Sequence, residues 1–270
     1  MIMVGGDMTL FYKLFGKRKP VIGMVHLKPL PGAPGYDGDL EHVYTCALKD
    51  LKALEAGGAT AFMIENFGDI PYDCKNDLIT LTAFTNITSR LRQKSRMPMG
   101  INVQFNDFCA EWAIAYSTDA DFIRIEVFAE NRIGPNGIFA ACGPELMRLK
   151  QRYPKDIALL CDLQVKHTVA LREQSLDFTI ESIIEGGGDA IIETGMATGK
   201  KPTIEDVKRT KQIAGVFPVI VGSGVHAAVA KEYFDICDGA IIGSDFKYGG
   251  NVRNHIDEDR VKNFINTINQ

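Results

Sequence analysis

Short runs of apolar, β-branched residues recur along the chain, and each is followed by a longer segment with apolar positions at helical spacing. Eight such runs stand out: Val21–His26, Ala61–Asn66, Met99–Gln104, Phe122–Val127, Ile157–Gln164, Ala190–Thr194, Val219–Gly222 and Ala240–Gly243. Each is apolar almost to its last residues, the pattern of parallel strands covered on both faces. The helical segments are equally legible. Leu40–Ala56 sets Val43, Ala47, Leu51 and Leu54 in one stripe, with Asp39 placed to cap its start. Leu78–Lys94 follows Asn76-Asp77. Thr203 opens a Thr-Ile-Glu-Asp capping signature before Val207–Ala214, and Glu258–Ile268 aligns Val261, Phe264, Ile265 and Ile268. Glycines at 57–58, 186–188 and 215 fall where helices should end.

A weak repeat sharpens the topology. Residues 57–66, 118–127, 187–195 and 237–245 each read as a helix end, a small or acidic turn and a strand, and they supply every second strand. The alternate strands start after Pro20, Pro98, Asp156 and Pro218. Two β/α units repeated four times predict an α/β fold, a single (β/α)8 TIM barrel over residues 20–270, with an N-terminal lead-in over 1–19. An open doubly wound sheet is the alternative, but it has no need of an eighth strand. Within the lead-in, Met8–Phe15 is a short amphipathic stretch expected to pack against the body.

In such a barrel the chemistry gathers where the strands end. Those ends are polar here: His26, Glu65-Asn66, Asn102 and Gln104, Arg124 and Glu126, Asp162 to His167, and Glu193-Thr194-Gly195. Period two puts Asp162, Gln164 and Lys166 on one face, and Arg124 with Glu126 on another. Four carboxylates (Glu65, Glu126, Asp162, Glu193) against the cations Arg124 and Lys166 form an unbalanced set. Desolvated like charges are costly unless a proton, a cation or a substrate intervenes. A purely structural layer of paired charges is the plainer alternative. His26 reads equally as a base, a ligand or a neutral core histidine. Lys166 suits an anion clamp or an ion pair, or a Schiff base if its pKa is depressed.

The last two strands run into Gly222-Ser223-Gly224 and Gly243-Ser244. Glycines there let backbone N–H groups approach an anion, and the loops after strands seven and eight are the usual phosphate cradle of a barrel. A bare tight turn is the competing reading of Gly-Ser-Gly alone. Two long loops stand over the mouth. Residues 27–39, with three prolines and three glycines, read as a lid, a packed cover or an oligomer contact. Residues 194–202 suit a phosphate-facing flap, with Thr194 and Gly195 at its base and Lys200 and Lys201 within it, or a solvated basic loop.

Composition narrows the classes. Across 270 residues, 30 basic against 34 acidic side chains give a net charge of −4, which counts against a nucleic-acid binder. No apolar run reaches membrane-spanning length, and the N-terminal basic cluster Lys17-Arg18-Lys19 follows the apolar stretch, the reverse of a secretory signal. A cytoplasmic protein is expected. The six cysteines form no C-x-x-C pair and read as reduced thiols. No P-loop or G-x-G-x-x-G is present, which weakens a nucleotide reading.

Several stretches resemble the BtpA/SgcQ family: G-M-V-H-L-K-P-L-P-G-A-P (23–34), E-N-F-G-D-I-P (65–71), G-I-N-V (100–103), N-D (106–107), D-F-I-R (121–124), D-L-Q-V-K-H (162–167), T-G-M-A-T-G (194–199), V-G-S-G-V (221–225) and D-G-A-I-I-G-S (238–244). The resemblance covers roughly residues 20 to 262. It implies a barrel related to ribulose-phosphate-binding barrels, with phosphate on Gly222, Ser223, Gly224, Gly243 and Ser244. The chain departs from the family pattern at strand ends. Phe105 stands where arginine is usual, Glu126 and Phe128 where Asn and His are usual, and Gln164 where His is usual.

Two functions remain open. One is an enzyme, a lyase, isomerase or hydrolase, acting on a small phosphorylated metabolite such as a sugar phosphate. Asp162 or Glu126 would move a proton, Lys166 or Arg124 would stabilise charge, and the oxygen ligands Glu65, Glu126, Asp162 and Glu193 suit Mg²⁺ or Mn²⁺ if a metal takes part. The other is a non-catalytic assembly factor, as the family's photosystem I biogenesis name implies. A homo-oligomer fits either.

Overall fold

The computed structural model describes residues 8–134, 136–165, 168–195 and 202–269. Eight parallel strands close a barrel: β1 (Val21–His26), β2 (Ala61–Glu65), β3 (Met99–Asn102) and β4 (Phe122–Ile125). After a small excursion, β5 (Arg132–Gly134) and β6 (Gly137–Phe139), the barrel resumes with β7 (Ala158–Asp162). Another short strand, β8 (Val169–Ala170), precedes the last barrel strands, β9 (Ala190–Glu193), β10 (Val219–Val221) and β11 (Ala240–Ile242), and β11 pairs with β1 to complete the circle. The expected (β/α)8 barrel is what the chain forms.

Helices follow the strands in turn. They are α1 (Leu10–Phe15), ahead of the barrel, then α2 (Leu40–Gly57), α3 (Leu78–Arg92), α4 (Phe108–Thr118), α5 (Gly143–Arg152), α6 (Leu176–Glu185), α7 (Ile204–Ala214), α8 (Ala230–Phe234) and α9 (Glu258–Ile268). Their starts are set by capping chemistry. Asp39 accepts from the His42 amide, Ser175 from Phe178, and Thr203 and Asp206 form a reciprocal capping box.

Side-chain alternation divides the core into two. Outward residues such as Val25, Ile64, Ile123 and Ile191 pack under the helices. Inward residues, among them Ile22, Met63, Phe122, Leu160, Ile192 and Ile220, fill the barrel. Phe11 and Phe15 of α1 join this inner cluster, with Phe15 edge-on to Phe122 at 6.1 Å between centroids. Phe122 is the first residue of its strand, so α1 closes the end of the barrel opposite the strand tips. Asp189, just ahead of β9, fixes it there by accepting from the Leu10 amide at 2.8 Å.

One feature escapes the hydrophobic pattern. Strands β5, β6 and β8 form a three-stranded antiparallel sheet inserted after β4 and β7. Their two or three residues are too few for period two to show. No helix among the described residues is long and apolar enough to cross a membrane.

Candidate functional site at the strand tips

Continuing the inner rows upward places the mouth. Ile22 and Met24 lead to His26, Met63 to Glu65, Phe122 to Arg124, Leu160 to Asp162, and Ile220 and Ile241 to Gly222 and Gly243. A cavity of about 160 Å³ opens there, lined by His26, Glu65, Gln104 and Arg124 on one side and by Gly222, Ser223, Gly224, Gly243 and Ser244 on the other. The two Gly-Ser loops and a part of the ionisable ring therefore face one space.

Arg124 is the ring's central cation. Its Nε and Nη2 donate to the two Asp162 oxygens at 2.9 and 2.8 Å, and its Nη1 lies 4.0 Å from Glu65 Oε2. Burial works against its charge, but Asp162, Glu65 and Glu126 outweigh that and hold the guanidinium protonated. Glu65 is 3% exposed. Burial pushes its carboxyl above the usual range, and Arg124 and a hydrogen bond from Gln104 oppose the shift only in part. His26 is neutral: burial, helped by the Lys247 charge, lowers its pKa to about 3. Its ring stacks on Phe67 with centroids 4.4 Å apart.

The other expected site residues stand elsewhere. Glu126 is buried and does not line this cavity; it accepts from Asn102 Nδ2 at 2.8 Å and from the Asn106 amide at 3.0 Å. The same Asn102 amide donates to Glu111 Oε1 at 3.1 Å, and the Val103 amide adds a bond of 2.7 Å to that oxygen. Two carboxylates thus share one buried amide, and burial raises both, with mutual repulsion adding to Glu111. Glu111 reaches this point from α4, and nothing in strand patterning could announce it. Its place in the first turn of a helix after the Asn106-Asp107 cap was the available signal.

Glu193 does not join the ring. It shares its face with Ile191, which packs outward, so its carboxylate turns to α7 and takes Thr210 Oγ1 at 2.7 Å and the Gly195 amide at 2.9 Å. Ala190 and Ile192 are the inward pair, but Ala190, Ile191 and Ile192 are all apolar, so the sequence does not mark which face Glu193 takes. Thr194 and Gly195 are likewise engaged, the hydroxyl on the Gln164 carbonyl and the amide on Glu193. Lys166 and residues 196–201 of the flap lie outside the described residues.

The glycines have separate reasons. A Cβ on Gly222 would stand 2.4 Å from Ile192 Cγ2, and the Gly222 amide is spent on the Glu193 carbonyl, so this glycine serves packing. A Cβ on Gly243 would meet nothing closer than His26 Cε1 at 3.6 Å, and would project into the cavity. The amides of Gly224 and Ser244 donate to no backbone carbonyl among the described residues. Asp245, which follows Ser244 and carries no motif of its own, ties the two loops together. It accepts from His226 Nδ1 and the Ala227 amide after β10, and from Arg260 of α9, all at 3.1–3.2 Å.

Residues 27–39 form a pinned wall. The Leu30 amide donates to Asp69 at 2.7 Å and Thr80 Oγ1 to the Pro31 carbonyl at 2.6 Å. A divalent cation finds no fit in the carboxylate set proposed from sequence. Arg124 already occupies the space between Asp162 and Glu65, Glu126 is turned to Asn102, and Glu193 faces outward. Among the described residues no group of three or more His, Cys, Asp or Glu is disposed to hold a metal.

A closed eight-stranded barrel with a polar cavity at its strand tips defines a TIM-barrel protein. The fold comparison agrees: thiamine phosphate pyrophosphorylase from Pyrococcus furiosus superposes with a TM-score of 0.58 at 14% identity, over 95% of this chain and 98% of that one. The chain belongs to the BtpA family, whose model matches residues 17–270. It is similar to an uncharacterized protein of Methanocaldococcus jannaschii, 40% identical over 94% of this chain and 97% of the relative. It is also similar to the photosystem I biogenesis protein BtpA of Synechocystis, 35% identical over 95% of this chain and 90% of the relative.

Proposed function

We propose that the protein is an enzyme that binds a small phosphorylated metabolite, such as a sugar phosphate, at the strand tips and moves a proton on it. The observation that carries this reading is the shared cavity: Gly224, Gly243 and Ser244 face Glu65, His26 and Arg124 across about 160 Å³. The amides of Gly224 and Ser244 would hold the phosphate. Glu65, its carboxyl raised by burial, would exchange a proton with the carbon or oxygen next to the phosphate-bearing end. Arg124, kept charged by Asp162, would stabilise the negative charge that develops. Neutral His26 would donate a hydrogen bond rather than a charge. The fold is shared with an enzyme named for a phosphate ester, which supports the reading without fixing the reaction.

Proton transfer can be tested without knowing the net reaction. Sugar phosphates that raise the melting temperature are incubated with the protein in D₂O and followed by NMR. Loss of one C–H signal with wild type, and none with Glu65→Gln that still binds the compound, is expected. Exchange that continues at the wild-type rate in Glu65→Gln would remove Glu65 from the role.

A second reading, an assembly factor, draws on the inserted sheet. Ile133 is in register with Ile138 and Val169, so the three side chains share one face, and Ile138 and Val169 are more than 60% exposed. Such a face suits a protein partner. Under this reading Ile138→Glu impairs the cellular role while substitutions in the mouth leave it intact.

A further inference from the structure

Beside the mouth lies a larger cavity of about 320 Å³, walled by the loops after β1, β2 and β11 and by α2. The two spaces share His26. One face of its ring lies on Phe67, which lines the larger cavity, and its Cε1 edge lies beside Gly243, which lines the smaller. A single imidazole therefore divides them. The larger cavity is apolar over most of its wall, through Leu27, Pro29, Ile70 and Val252, and the stacked rings of Phe67 and His26 add an aromatic side.

Its charges are one-sided. Lys28 and Arg253 stand exposed at the rim, with no ion-pair partner among the described residues. Lys247 is 1% exposed and is held by Asp50 Oδ2 at 2.8 Å, while Asp50 Oδ1 takes His255 Nδ1 at 2.8 Å. Asp50 is the single carboxylate of the lining, against three cations. Apolar walls select a body that leaves water readily, the aromatic side favours a planar one, and the unpaired rim cations favour an acidic substituent on it.

We propose that the ligand has two ends: a phosphate in the Gly-Ser cavity and a planar heteroaromatic body bearing a carboxylate in the cavity beyond His26. The proposal rests on the phosphate reading above and names the substrate class that reading leaves open. Sugar phosphates without such a body are partial ligands.

Three compounds test it by equilibrium titration: ribose 5-phosphate, uridine 5′-monophosphate and orotidine 5′-monophosphate, which adds a carboxylate to the same base. Wild type is expected to bind uridine monophosphate about tenfold more tightly than ribose 5-phosphate, from stacking and apolar burial. Orotidine monophosphate should gain about a further fivefold from the rim cations. Cys46→Trp fills the larger cavity from α2 and should bring both nucleotides down to the ribose 5-phosphate level, leaving that level unchanged. Lys28→Ala with Arg253→Ala, at exposed positions outside the core, should remove only the orotidine gain. Equal binding of the three compounds by wild type overturns the proposal, as does a nucleotide gain that survives both sets of substitutions. The phosphate reading fails separately, when ribose 5-phosphate does not bind wild type or binds Gly243→Val equally well. Ribose 5-phosphate lost in Gly243→Val, with no nucleotide gain in wild type, keeps the phosphate site and eliminates the two-ended ligand.

Discussion

His26 is held neutral by its surroundings, and that has a cost at low pH. In the unfolded chain its imidazole takes up a proton near pH 6.5, whereas in the folded protein it resists until about 3. Between those values the unfolded state binds more protons, so stability falls as pH drops. Each pH unit across the window costs about 1.4 kcal/mol. His26→Phe keeps the stack on Phe67 and removes the titration. Urea denaturation from pH 7 down to pH 4 should show wild type losing stability relative to His26→Phe. Parallel profiles would mean that His26 ionises freely in the fold. Gly243 makes the second argument at this scale. With 3.6 Å to the nearest atom, an added Cβ here makes only ordinary contact and takes its volume from the cavity.

At the scale of elements, α1 and α4 each do something that strand patterning leaves out. Phe11 is fully buried beneath the barrel, and Phe11→Ala should cost about 3–5 kcal/mol in urea denaturation. A loss below about 1 kcal/mol would show that α1 is dispensable to the core. Glu111 of α4 carries a raised pKa because it is buried and faces Glu126. A carboxyl raised in the fold binds its proton more tightly folded than unfolded, so its contribution declines as pH rises above the ordinary carboxylate range. Glu111→Gln, neutral at every pH and the same shape, should be equal to or more stable than wild type at pH 8 and lose that advantage at pH 5. Glu111→Ala, which leaves the Val103 amide unpaired and takes one of two carboxylate acceptors from the Asn102 side chain, should lose about 2–4 kcal/mol at both. A Glu111→Gln variant destabilised more at pH 8 than at pH 5 would contradict the assigned direction. Asp245 works between elements, and Asp245→Ala should weaken any ligand that needs both Gly-Ser loops at once.

Seen whole, the molecule was legible where its chemistry repeats. Eight buried parallel strands leave eight apolar runs, and the polar residues at their ends include His26, Glu65 and Arg124, which line the same cavity as Gly243 and Ser244. Legibility failed where parity or distance decides. Glu193 sits at a strand tip but on the outward face. Glu111 and Asp50 reach their partners from helices, Asp50 across more than two hundred residues of chain to His255. The β5–β6–β8 sheet is too short to carry a period, and the cavity beyond His26 is made by three loops with no shared motif.

The proposed enzyme stands on phosphate binding at the tips of β10 and β11, over Glu65 and Arg124. Isothermal titration of ribose 5-phosphate and inorganic phosphate into wild type and into Gly243→Val measures that binding. Saturable binding to wild type, weakened more than about tenfold in a Gly243→Val protein whose melting temperature is unchanged, is the predicted result. Equal affinity in the two proteins, or no binding to either, would contradict it.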